Sequence, residues 1–292
     1  MPIEPMHMKN GLALLLAGAV QAPMGARALE LESSLTRAIA NTRYEQPASS
    51  DLTQARELFK HTLLGDRPVA ELKTGWYKLG FAFHEVTADG EPMWLVSQPP
   101  DSESGGGWYL FRTNHQSSLA FETPHAKNDV HTGIIGLRLF QAGTARVLAA
   151  STITRHRADM AHLDDTFFQA FTLAFAEVCP TGLVVQLHGF ESENHNHVAA
   201  DVLASAGIQS PGAWFFEVVE KLKQATAVRV LAYPRDTKVL GGTTNSQGKA
   251  LNQTADCRFL HLEITPELRE RMARDPELRR AILDSVSVTQ PR

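Results

Sequence analysis

Apolar and polar positions recur along this chain with a period that changes from block to block. Residues 29–64 repeat with helical period in two segments, L-E-L-E-S-S-L-T-R-A-I-A-N-T-R and D-L-T-Q-A-R-E-L-F-K-H-T-L-L-G. Asp51 is placed to cap the second and Gly65 to end it. From about 75 to 122 the pattern reads as strands. W-Y-K-L-G-F-A-F-H-E-V and P-M-W-L-V-S flank A-D-G-E, a hairpin signal, and W-Y-L-F-R-T resumes strand character after the flexible S-E-S-G-G-G. Further on, short apolar runs alternate with amphipathic stretches. Strands are predicted at 118–123, 146–152, 182–188, 227–233 and 258–264, and helices at 131–143, 165–178, 197–206, 212–224 and 266–287. This alternation predicts a three-layer α/β/α fold around a mostly parallel mixed sheet. The division expected is an α/β domain over 115–292 behind a small α+β region over 29–114.

The first 28 residues follow a different logic. Lys9 precedes an apolar run from Gly11 to Val20, and Ala26 and Ala28 stand at the spacing of a cleavage site. That is the layout of a secretory signal peptide, with a run too short to span a bilayer. The expectation is a periplasmic or secreted protein with no stable membrane insertion after processing. Export would permit Cys179 and Cys257 to pair, which the sequence leaves open.

Charge removes one class of partner. With 28 Lys+Arg against 32 Asp+Glu and a net charge of −4, there is no electrostatic case for nucleic acid. Histidine points elsewhere: there are twelve, against two cysteines, and eight fall between His115 and His197. Imidazole is the commonest metal ligand and the usual proton shuttle near neutral pH.

Ligands of open α/β sheets bind beyond the C-terminal ends of the strands, and three predicted strands end in suitable residues. In F-E-T-P-H-A-K-N-D-V-H-T-G, a strand–loop–helix corner brings His125 and Asp129 toward one point, as zinc needs. Asp129 is also suited to cap the following helix, and His131 is an alternative ligand. In G-L-V-V-Q-L-H-G-F, an apolar strand ends at His188. In R-F-L-H-L-E-I, His261 and Glu263 share a face, and Glu263 is the candidate general base. The segment S-T-I-T-R-H-R-A-D-M-A-H adds Arg155, Arg157, Asp159 and His162. Either arginine is suited to clamp a carboxylate or an oxyanion. G-G-T-T-N-S-Q-G-K-A-L-N, containing Asn245, suits a mobile substrate loop. His162, Asn245 and His261 are the candidate substrate-binding residues. The cluster Glu191, Glu193, His195 and His197 reads as a polar loop, a rim or a second metal site. No G-x-S-x-G serine elbow occurs.

The order P-H, T-x-R-H-R-A-D-M-A-H, V-Q-L-H-G, L-H-L-E-I-T-P-E-L-R resembles a superfamily of zinc amide hydrolases. It includes zinc carboxypeptidases, N-formylglutamate amidohydrolases and phage-type poly-γ-glutamate hydrolases. The resemblance covers about residues 118–275, the last group being the most similar. It implies Zn2+ held by His125, an acidic residue and His188, with Glu263 as base, acting on a peptide, γ-glutamyl or other amide substrate. The group's usual acidic ligand is glutamate, and Asp129 is one methylene shorter. A non-catalytic metal- or ligand-binding protein on a decayed hydrolase scaffold is the alternative.

Overall fold

The computed structural model describes residues 24–40, 43–88, 90–99, 102, 105–114, 117–195, 198–253 and 256–287. The apolar run of the expected signal peptide lies outside them. Three helices come first, α1 (Met24–Ala38), α2 (Ser49–Leu64) and α3 (Val69–Lys78). A meander follows, β1 (Ala82–Ala88), β2 (Glu91–Ser97) and β3 (Trp108–Arg112), with Ala88 pairing Glu91 across the A-D-G-E turn. The rest runs β4 (Leu119–Thr123), α4 (Thr132–Ala142), β5 (Val147–Ala150), α5 (Phe167–Val178) and β6 (Leu183–Gly189). It continues through β7 (Val202–Ser205), α6 (Ala213–Thr226), β8 (Val230–Ala232), α7 (Ser246–Gln253), β9 (Arg258–Ile264), α8 (Pro266–Arg274) and α9 (Pro276–Ser287).

All nine described strands form one mixed sheet in the order β1-β2-β3-β5-β4-β6-β9-β7-β8. Its centre, β5-β4-β6-β9, is parallel; β3 joins β5 antiparallel, and β7 joins β9 antiparallel. Strand alternation divides the core in two. Phe121, Val185, Leu187, Leu260 and Leu262 face α1, α4, α6, α8 and α9, whereas Ala120, Val147, Ala149, Val184 and Phe259 face α2, α3, α5 and α7. The fold is thus three-layered α/β/α. On the second face, Phe59 meets Trp76, Tyr109 and Phe171 edge-on at 4.6, 4.7 and 5.4 Å. Such pairs contribute about 0.5–1.5 kcal/mol each beyond their buried area.

That same face turns polar toward the strand ends. Glu122, Gln186 and His261 are register partners across β4, β6 and β9, and His188 pairs with Glu263 one step further. The chain leaves β4 through α4 for β5 on one side, while β6 lies on the other. The crevice between the C-terminal ends of β4 and β6 is where such sheets bind ligands.

Several elements depart from the sequence reading. The alanines of residues 197–206 predict a helix, but Val202–Ser205 is strand β7. Pairing with both β9 and β8 outweighs local propensity there. The strand expected from about 75 begins at Ala82. Trp76 instead lies near the end of α3, fully buried, with its Nε1 donating to Thr62 Oγ1 at 3.0 Å. Residues 246–252 of the expected mobile loop belong to helix α7, Ser246–Gln253. The single helix expected over 266–287 is two, because Asp275 Oδ1 accepts from the Glu277 and Leu278 amides and Pro276 starts α9. Cys179 and Cys257 are buried free thiols. No helix among the described residues is long and apolar enough to cross a membrane.

Candidate metal centre

Three of the strand-end residues converge. His125, in the turn after β4, and His188, near the C-terminal end of β6, present Nδ1 atoms 3.2 Å apart. Asp129 Oδ2 lies 3.4 Å from the first and 3.8 Å from the second. All three side chains are buried. A tetrahedral zinc with bonds of about 2.0–2.1 Å sets its ligand atoms about 3.3 Å apart, so this triangle has the size of one zinc face.

The protonation pattern agrees. His125 Nε2 donates to Asp159 Oδ1 at 2.7 Å, and His188 Nε2 donates to Gln186 Oε1 at 2.7 Å. With both Nε2 atoms acting as donors, the neutral rings turn two Nδ1 lone pairs toward each other, an arrangement that a cation resolves. A proton resolves it too. Burial works against charge on His125, but Asp129 and Asp159 outweigh it and raise its pKa. His188 is held well below the usual range by burial and by His261 and His125.

Local backbone explains why Asp129 reaches the site. Its Oδ2 accepts from the Gly189 amide at 2.9 Å, so the carboxylate ties the turn after β4 to the end of β6 instead of capping α4. A side chain at 189 would run into the Arg269 guanidinium. That guanidinium packs behind the turn, donating to Val130 O at 3.1 Å and to Glu191 Oε1 at 3.4 Å. His131 sits exposed at the start of α4.

Glu263 stands beside this triangle, and burial followed by Asp129 pushes its pKa up to about 8. His261, tilted against His188 with ring centroids 4.4 Å apart, is depressed to about 3 by burial and by His125. His188, His261 and Glu263 form a second group with metal-ligand spacing. His188 has only one ring nitrogen not engaged by Gln186, so the two groups compete for it and the cluster fits a single ion.

A cavity of about 410 Å³ opens onto the cluster. Arg155, His162, His195, Tyr233, Lys238 and residues 240–245 line it with His125, His188, His261 and Glu263. Arg155 also contacts Asp159 at 3.4 Å, whereas Arg157 is exposed and off the cavity wall. His162 Nδ1 approaches Thr244 O at 3.2 Å, so two cavity-lining segments meet there. Asn245 lines the cavity but its side chain is buried against Gln186. His197 lies outside the described residues.

Sequence reasoning passes over Gln186 and Glu122, and gives Asp159 no specific role. Gln186 is within its reach, since two residues before His188 on a strand means the same face.

No family model matches the sequence, and no curated protein matches it. Solved structures do. N-formylglutamate amidohydrolase from Ralstonia eutropha JMP134 is 11% identical over 62% of this chain and 97% of that one, with a TM-score of 0.46. Bacteriophage poly-γ-glutamate hydrolase is 12% identical over 59% and 84%, with a TM-score of 0.36. Metallo-carboxypeptidase from Burkholderia cenocepacia is 13% identical over 72% and 64%, with a TM-score of 0.40. Their names are those of the groups that the motif order resembles. The likenesses are distant.

Proposed function

We propose that this chain is an exported zinc-dependent hydrolase of amide or peptide bonds. The observation that supports it most is the triangle of His125 Nδ1, His188 Nδ1 and Asp129 Oδ2, with an acceptor behind each imidazole. Zinc held there supplies a Lewis acid for a carbonyl and brings the ionisation of water toward neutral pH. Glu263 is the general base in this reading: its carboxylate takes a proton from the attacking water and returns it to the departing amine. Arg155, on the cavity wall, orients an anionic part of a peptide or γ-glutamyl substrate. Arg157, off that wall, is not placed for the task, and His162 and His261 flank the substrate. Residues 1–28 are read as a leader removed on export, ahead of the 29–114 region and the 115–292 hydrolase domain.

Metal analysis of the purified protein should find about one zinc per chain, as one three-ligand site implies, and His188→Ala should lose it. Glu263→Gln should keep the zinc and slow amide hydrolysis by about 10²–10⁴-fold. Zinc-free wild-type protein with an intact fold would overturn the reading. The shortened carboxylate of Asp129 favours a second one, a metal-binding protein on a hydrolase scaffold. Equal amide turnover by wild type and Glu263→Gln, at the background rate and with zinc bound, would select it.

A further inference from the structure

Behind His188 lies a buried amide that makes four hydrogen-bonding contacts. Gln186 Oε1 accepts from His188 Nε2 at 2.7 Å and from Asn245 Nδ2 at 2.6 Å. Its Nε2 donates to Glu122 Oε2 at 2.9 Å and lies 3.3 Å from Gln247 Oε1. Glu122 and Gln186 are fully buried, and Asn245 is 2% exposed.

The direction of this chain is set at one end by a group that cannot reverse. The Gly248 amide can only donate, and it donates to Asn245 Oδ1 at 2.8 Å. Asn245 must therefore turn its NH2 to Gln186, Gln186 must show Oε1 to both neighbours, and His188 Nε2 must carry hydrogen. The other end agrees, because Glu122 Oε2 accepts from Gln186 whether or not Oε1, against Thr172 Oγ1 at 2.6 Å, holds a proton. The only ring nitrogen of His188 left with a lone pair is Nδ1, which faces His125 and Asp129.

We propose that Asn245, Gln186 and Glu122 are positioning residues that fix the tautomer and ring orientation of His188, and through it the metal affinity of the site. The part concerning affinity rests on the zinc reading above; the part concerning the tautomer does not. Asn245 in this view works through His188 although its segment borders the cavity. It also ties the 240–245 segment to the ligand's far side, so order in that segment and order in the metal site are linked.

The test uses full-length protein with ¹⁵N-labelled histidine, read by NMR without metal, and zinc affinity by chelator competition. In the wild type His188 should be the Nε2–H tautomer. Asn245→Asp sets an acceptor against Gln186 Oε1, so the amide should flip, move the His188 proton to Nδ1 and weaken zinc binding. Gln186→Leu removes the acceptor, and its zinc affinity should fall by about 10–100-fold, the usual range for such outer partners. The paired exchange Glu122→Gln with Gln186→Glu swaps the amide and the carboxylate between the two strands. His188 again meets an acceptor, and the carboxylate now on β6 meets a donor, so tautomer and affinity should return. Because Asn245→Asp is near-isosteric, it keeps the test open if Gln186→Leu fails to fold. An unchanged tautomer and unchanged zinc affinity in Asn245→Asp would overturn the proposal and leave the zinc site standing. A wild type with the Nε2–H tautomer that shifts in Asn245→Asp, yet binds no zinc, would support the relay and overturn the zinc reading.

Discussion

Two buried clusters share one face of the same sheet and are held in opposite ways. The aromatic one joins Phe59, Trp76, Tyr109 and Phe171 from α2, α3, β3 and α5, all fully buried. The polar one joins Glu122, Gln186, His188, His261 and Glu263, at exposures of 0–8%. Burial does not distinguish them; the rule for filling the space does. Apolar contact has no direction, so an aromatic position asks only for volume and shape. In the polar cluster each donor settles what its neighbour has to be, and exchanging one donor for an acceptor disturbs every atom beyond it.

Substitutions on the two sides should therefore fail differently. Phe171→Ala opens a cavity among four rings and should cost about 3–5 kcal/mol in denaturant unfolding, while the protein that remains folded binds zinc with wild-type affinity. A matching loss of zinc affinity would erase the contrast. Glu122→Gln probes the polar side through pH. Burial raises the Glu122 pKa from 4.5 to about 7, against the opposing bonds from Thr172 and Gln186. Between those values the folded state binds more protons than the unfolded one, so metal-free stability falls as pH rises from about 4.5 to 7. The contribution is about 3 kcal/mol, and the variant should remove it. Glu263, also raised, keeps a slope of the same sign in the variant, so unfolding curves across this range should flatten without becoming level. The smallest effect is expected from Asp159→Asn, which keeps an acceptor for His125 Nε2 but discards its charge. Zinc affinity should drop by about 10–100-fold with little change in Tm, and a large Tm loss would place Asp159 with the framework instead.

How much of this was legible in the sequence follows the same division. The central strands declared themselves as apolar runs, and His125, His188 and Glu263 could be placed at one sheet edge because strand ends are local features. Strand β7 was hidden because four residues carry little pattern, and its stability comes from pairing with β9, some sixty residues away. Helix α7 was hidden by its glycine. Gly248 reads as loop chemistry but packs so close to the Phe259 ring that a Cβ would stand 2.6 Å from it. Glu122 and Gln186 looked like ordinary polar interruptions of two strands. Their meaning depends on register, which aligns them only once β4 and β6 are adjacent.

His188 and Glu263 are register partners on neighbouring parallel strands. The span between the proposed metal-binding imidazole and the proposed base is therefore set by main-chain pairing, at the interstrand spacing of about 4.8 Å. Side-chain replacement changes what stands at either post but leaves the posts where they are. A slip of one residue in either strand would turn that strand's group into the opposite core, and a slip of two would separate the pair by a full repeat. The working distance itself is a lattice constant of the sheet, inherited with the fold.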